Sequence, residues 1–222
     1  MKILLVGFQR SGTTLLRRIL QVHPEIHRVF HEPFLLNRTK TKDQVLQFAQ
    51  KNGISNPLKE TWGEKVPYYP AARKHNIVKY CEKWNEYFGK ESIIIHIVRH
   101  PYDIANSVVK KYKHETNVDR PLTIYKKIMH RSIPDIDDMK NSMIVKYEDL
   151  LLNPKEIVFK IYSFCKVDPT VNFEAKLKKL ENKKYQMIDP SRAFAYKNTS
   201  FTTNIKVDHI IDILNKIEGV KY

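Results

Sequence analysis

The sequence predicts an α/β fold: a three-layer sandwich whose central, mainly parallel sheet carries helices on both faces. Two observations lead there. First, a short apolar run twice breaks into a polar loop and resumes as a helix, at Lys2 to Thr14 and again in ESIIIHIVRHPYDIANSVVKKY. Strands that are apolar at successive positions must be covered on both faces. Second, the strand-like runs are separated by stretches of helical spacing, and parallel neighbours need crossovers of that length.

Taken in order, Lys2 to Phe8 reads as a buried strand, followed by a loop and a helix from about Gly12 to Val22. Leu15, Leu16, Ile19 and Leu20 of that helix recur at helical spacing. HPEIHRVFHEPF holds a second strand near Ile26 to Phe30, ending at His31-Glu32 before a proline. Helical spacing returns from Thr41 to Asn52 and from about Tyr69 to Phe88, with the Gly- and Pro-containing TWGEKVPYYP as a bend between. The run before Arg99 is a third strand, and its helix starts beside Pro101. NSMIVKYEDLLLNP supplies another, Ser142 to Lys146, and the remainder reads as helices and loops. No repeat, low-complexity tract or linker divides the chain, so one domain over residues 1–222 is expected.

With 222 residues, 42% of them hydrophobic, one sizeable core is possible. Thirty-nine Lys and Arg against twenty-four Asp and Glu give a net charge of +15, which favours anionic partners: nucleotides, sulfated or phosphorylated molecules, nucleic acid or acidic surfaces. Ile3 to Val6 is too short to cross a bilayer and has no cleavage region behind it, so no membrane anchor and a cytoplasmic location are expected. Cys81 and Cys165 form neither a disulfide framework nor metal-ligand spacing, which fits a reducing compartment and gives no metal site.

Ligands of parallel sheets bind beyond the carboxyl ends of strands, where Gln9 to Thr14 would sit. Exposed backbone N–H groups and the helix dipole make such a loop an anion site, and Gly12 permits close backbone approach. Ser11, Thr13 and Thr14 add hydroxyl donors, and Arg10 adds a fixed positive fork. The pattern G-x-x-x-x-G-K-[ST] is absent, which demotes an ordinary ATP- or GTP-dependent phosphotransferase.

FQRSGTTLL after a first strand resembles the 5′-phosphosulfate loop of the sulfotransferases that use 3′-phosphoadenosine 5′-phosphosulfate (PAPS). IVRHPYDIANSV resembles the same family's 3′-phosphate segment, WGEKVP its bend with an active-site Lys, HEPF its acceptor-side acidic residue, and KYEDLLLNP its Tyr-containing segment. These matches run in the family's order from Gly7 to Pro154; beyond Pro154 only a general helical pattern is shared. In carrying Arg10 where the cytosolic small-molecule branch commonly has Lys, the chain is similar to the protein-tyrosine branch and many bacterial members.

The resemblance implies a P-loop-NTPase-like arrangement and a PAPS-dependent enzyme that releases 3′,5′-bisphosphoadenosine without a metal. It implies that Arg10, Ser11, Gly12, Thr13 and Thr14 hold the 5′-phosphosulfate, that Arg99 and Ser107 hold the 3′-phosphate, and that Tyr147 lies on the adenine side. Arg99 has an alternative partner in Asp103, four residues on. Arg10 stays charged and acts only electrostatically, so Lys65 is expected to share the leaving-group role; otherwise it is a surface Lys beside a turn. Glu32 is the expected general base, with His31 as the rival because imidazole titrates nearer neutrality. Arg192 and Lys197, in the late basic loop SRAFAYKNTSF, are candidates to cover the nucleotide. The expected acceptor is a hydroxyl, less readily an amine, of a small molecule, carbohydrate or peptide. Phe34 to Pro57, Lys113 to Pro121 and the region beyond Asp189 carry no signature that specifies it. Two other classes compete: an ATP- and Mg²⁺-dependent kinase, and a non-enzymatic nucleic-acid binder. The chain has no zinc-finger or RRM signature, so no nucleic-acid substrate is expected.

Overall fold

The computed structural model describes residues 1–68, 76–112, 117–179, 188–198, 203–219 and 221. In chain order the elements are β1 (Lys2–Phe8), α1 (Thr13–Gln21), β2 (Ile26–His31), α2 (Leu35–Arg38), α3 (Lys42–Lys51), β3 (Thr61–Tyr68), α4 (Ile77–Phe88), β4 (Ser92–Val98) and α5 (Pro101–Lys111). Then come α6 (Asp119–Asp137), β5 (Ser142–Lys146), α7 (Tyr147–Leu152), α8 (Pro154–Phe164), α9 (Phe173–Lys179) and α10 (Asp208–Lys216). The described strands form one five-stranded sheet in the order β2-β3-β1-β4-β5, with every pairing parallel.

The pleat sends alternate side chains of β1 to opposite faces, and both faces are covered. Ile3 and Leu5 pack with Leu16, Ile19 and Leu20 of α1 and Val158 and Ile161 of α8. Leu4 and Val6 pack with Val45 of α3 and Tyr80 and Trp84 of α4. Phe8 and Val98, at the carboxyl end of the sheet, join Ile104, Tyr125, Met129 and Ile210 in a third cluster. Each fully buried Leu or Ile contributes about 1.5–3 kcal/mol, so the two-sided burial of β1 fixes the strand from which the loop of Gln9 to Thr14 departs. No helix among the described residues is long and apolar enough to cross a membrane.

One expected element is corrected. The bend TWGEKVPYYP is in fact strand β3 up to Tyr68, and it pairs with β1 on one side and β2 on the other. Its turn-like residues have other uses. A Cβ on Gly63 would stand 1.9 Å from the Ile3 carbonyl oxygen, so only glycine allows the close approach to β1. The Trp62 N–H points to Met1 of the β1 side, and the Lys65 carbonyl accepts from Glu32 of the β2 side. Pro67, in step with Lys65, therefore aims its missing N–H past the last β2 pairing, His31 with Lys65, where no ladder bond is lost.

The helix expected from Tyr69 is described only from Ile77, where the Asn76 side chain accepts from the Val78 and Lys79 N–H groups; residues 69–75 lie outside the described set. Helix α6 was not expected. Its Pro121 falls in the first turn, where no N–H is needed, and Pro134 lies inside it.

Candidate active site

The loop leaving β1 turns sharply. Arg10 has φ 69° and Gly12 φ 104°, both in the left-handed region. A Cβ on Gly12 would lie 2.3 Å from Cδ2 of Tyr147, so the glycine is demanded by contact as well as by φ. The first N–H groups of α1, which have no partners within the helix, follow directly. Ser11 is fully buried, and its Oγ has no hydrogen-bond partner among the described residues.

The second loop, between β4 and α5, meets the first. Arg99 is 8% exposed and donates from Nη1 to the Arg10 carbonyl at 3.2 Å and from Nη2 to the Arg192 carbonyl at 3.3 Å. Its guanidinium lies 4.3 Å over the Tyr147 ring, and Tyr125 donates to the Arg99 carbonyl at 2.7 Å. The pair with Asp103 also forms, loosely, at 3.8 Å, and the buried Arg99 Nε keeps no protein partner among the described residues. Arg10 donates from Nε to Ser107 Oγ at 3.0 Å. His100 packs beside them, stacked 4.0 Å from the Tyr196 ring; burial, then the charges of Arg99 and Lys197, push its pKa down to about 3.

On the β2–β3 side, Lys65 is 1% exposed, not the surface Lys of the alternative reading. Its Nζ lies 2.6 Å from Glu32 Oε1, donates to Thr14 Oγ1 at 3.2 Å and stands 3.4 Å from His31 Nε2. His31 Nε2 is 3.7 Å from Glu32 Oε1. Burial lowers the Lys65 pKa, opposed by the hydrogen bond and charge of Glu32; burial, then Lys65, lowers that of His31. Glu32 (φ 56°) and Phe34 (φ 50°) both adopt left-handed backbone, a conformation that costs a non-glycine residue roughly 1–2 kcal/mol. Strain of this kind concentrates at functional sites.

A cavity of about 810 Å³ opens between these groups. Of the expected residues, Arg10, Gly12, Thr13, Thr14, His31, Arg99, Ser107, Tyr147 and Arg192 line it. Ser11 is buried in the loop, Lys65 stands one hydrogen bond behind Thr14 with Glu32 bonded to it and 3.7 Å from His31, and Lys197 instead sits over the Phe194 ring at 4.9 Å. Arg17, Arg18, Lys110 and Lys111 also line the cavity, although none was among the expected site residues. Helical spacing could have found them: they lie three or four residues beyond Thr14 and Ser107 on the same helices. Seven Lys and Arg face one acid, Asp103, on the cavity wall.

A strongly basic cavity at the carboxyl edge of a parallel sheet, floored by a hydroxyl-rich strand-to-helix loop, defines a protein that holds polyanions for group transfer. The sulfotransferase domain model matches residues 1–209, and the chain belongs to that family: it is an enzyme of sulfuryl transfer. Among solved structures it is similar to the sulfotransferase domain of the Synechococcus PCC 7002 olefin synthase, at 18% identity and TM-score 0.65 over 99% of this chain and 96% of that one. It is also similar to the sulfotransferase domain from the curacin biosynthetic pathway, at 20% identity and TM-score 0.67 over 96% of each chain. The mouse sulfotransferase SULT7A1 complexed with PAP matches at 16% identity and TM-score 0.52, over 90% of this chain and 68% of that one. No curated protein matches the chain.

Proposed function

We propose that residues 1–222 act as one sulfotransferase domain that takes its sulfuryl group from PAPS and delivers it to a hydroxyl of a small-molecule, carbohydrate or peptide acceptor. The observation that carries this is the meeting of Arg10, Arg99 and Ser107 on one cavity wall, through bonds of 3.0 and 3.2 Å. The residues present suit the donor: Ser11 Oγ and Arg99 Nε are buried polar groups without protein partners among the described residues, and the absence of a Cβ at Gly12 lets the Tyr147 ring pack against the loop. That a related fold was solved with PAP supports the same donor chemistry.

Arg10, Ser11, Gly12, Thr13 and Thr14 would hold the 5′-phosphosulfate, Arg99 and Ser107 the 3′-phosphate, and Tyr147 would lie at the adenosine end. PAPS supplies a sulfuryl group already joined to a phosphate leaving group. The chain supplies preorganised positive charge where negative charge grows. Arg10 stabilises electrostatically, whereas Lys65, its pKa lowered by burial, holds a proton next to Thr14 and can release it. Glu32, held by Lys65 at 2.6 Å, accepts the acceptor's proton. His31 offers a second reading for the base: it lines the cavity, and burial keeps its ring neutral. Retained sulfonation in Glu32→Gln with loss in His31→Ala would reverse the assignment.

Thermal shift with 3′,5′-bisphosphoadenosine, ATP and an oligonucleotide in parallel tests the reading. The bisphosphate at a hundred times its Kd adds about 2.7 kcal/mol of stability. Preference for ATP points to a kinase, and preference for the oligonucleotide, falling steeply with salt, to a nucleic-acid binder.

A further inference from the structure

The donor groups leave the Arg17 side of the cavity, next to His31, without a ligand. Arg10, Arg99, Ser107 and Tyr147 follow β1, β4 and β5 and Thr13 and Thr14 open α1, whereas His31 and Glu32 stand at the end of β2 and Lys65 lies beside His31 on β3. In the order β2-β3-β1-β4-β5, three strand spacings separate β2 from β4, about 14 Å at about 4.8 Å each. The cavity thus has a donor end and a β2 end, and Arg17 stands at the β2 end.

Arg17 projects from α1 one turn beyond Thr13, and helical side chains lean back toward the N-terminus, which carries it over the Thr13–Thr14 turn. Its Nε donates to the Val29 carbonyl of β2 at 2.9 Å, a single bond that anchors the guanidinium. Its two Nη groups have no acceptor among the described residues, although Arg17 is half-buried and lines the cavity. The surroundings are cationic. Burial, then Arg18 and Arg28, depress its pKa; only Glu32 opposes them, and Glu32 is already paired with Lys65. An oxyanion would satisfy both the idle donors and the excess charge, and a guanidinium binds carboxylate or phosphate with two parallel bonds.

We propose that Arg17 is an acceptor-anion subsite: the acceptor is a hydroxy compound bearing a carboxylate or phosphate, which Arg17 grips so that the nucleophilic hydroxyl lies beside Glu32 and His31. This rests on the sulfuryl-transfer reading of the cavity and adds the chemical class of its acceptor. The seven cations around the rim favour such a molecule over a neutral one before contact as well, by raising its local concentration.

The test is calorimetric binding to the full chain saturated with 3′,5′-bisphosphoadenosine. The probes are 4-hydroxybenzoate, 4-hydroxyphenyl phosphate and the neutral 4-hydroxybenzamide. Wild type is expected to bind at least one of the anions at least about tenfold more tightly than the amide, about 1.4 kcal/mol. The stronger of the two identifies carboxylate or phosphate as the group recognised. Arg17→Gln is expected to erase the preference and Arg17→Lys, a point charge without the fork, to keep part of it, with bisphosphoadenosine affinity equal in all three. Wild type that binds bisphosphoadenosine but neither anion preferentially overturns the subsite. So does an Arg17→Gln protein that keeps the preference, or one that melts normally yet loses bisphosphoadenosine, which would move Arg17 to the donor. Failure of wild type to bind bisphosphoadenosine rejects the donor reading itself and the subsite with it.

Discussion

Replacing Glu64 by Gln should change how stability depends on pH. Glu64 lies on β3 beside Lys65, but its fully buried side chain turns to the opposite face of the sheet. It accepts from the Leu35 N–H at 3.1 Å and the Tyr80 O–H at 2.6 Å, so it ties α2, and with it the turn carrying Glu32, to α4. Burial outweighs both bonds and raises its pKa from 4.5 to about 7. Between those values the folded protein holds a proton that the unfolded chain has released, so stability must fall as pH rises. The contribution is complete below 4.5 and lost as pH passes about 7, and at 1.36 kcal/mol per unit it amounts to about 3 kcal/mol. Glu64→Gln keeps the volume and removes the proton. Urea unfolding of both proteins from pH 4.5 to 8 should show wild type losing about 3 kcal/mol relative to the variant across that range. A constant difference between the two curves would refute the reasoning, because Glu64 would then titrate alike in both states.

Other perturbations have equally direct outcomes. Lys65→Ala removes the partner 2.6 Å from Glu32 and the donor to Thr14, so turnover should drop ~10²-fold or more with circular dichroism unchanged; near wild-type turnover would take Lys65 out of the mechanism. Gly12→Ala drives a methyl group to 2.3 Å from the Tyr147 ring at φ 104°, and a binding assay should show bisphosphoadenosine affinity lost. His96 is fully buried with neither ring nitrogen hydrogen-bonded among the described residues, and burial lowers its pKa from 6.5 to about 4. The stability of its neutral form is present above pH 6.5 and lost as pH falls toward 4, so His96→Leu should flatten the acid limb by about 2 kcal/mol in urea melts at pH 4.5 and 7.

Four strands were legible because their apolar residues are contiguous, and β1, β4 and β5 match their expected bounds closely. β3 was not, because Glu64 and Lys65 are buried for reasons that periodicity does not register: Tyr80 and Leu35 satisfy one, Glu32 and Thr14 the other. Gly63 and Pro67 then imitate a turn. The loop after β1, Arg99 and Ser107 could be singled out because a hydroxyl-rich strand-to-helix loop and an Arg closing a strand are local patterns, and the fold brings them together: Arg99 bonds the Arg10 carbonyl and Arg10 bonds Ser107. The Lys65–Glu32 ion pair could not be read, since it depends on β2 and β3 lying side by side, and that adjacency is a property of strand order alone.

Neither neighbour of β1 comes from adjacent sequence: β3 is completed at Tyr68 and β4 at Val98, and the ring against which Gly12 leans belongs to Tyr147. Contacts between such distant positions must await loop closure, which makes parallel pairings slow to form. On the ribosome, where about 5–20 residues emerge each second, the turn that starts the binding cleft exists well before anything props it open. The cavity can therefore form only after the second half of the chain has docked, and truncation ahead of Tyr147 removes the ring against which Gly12 packs.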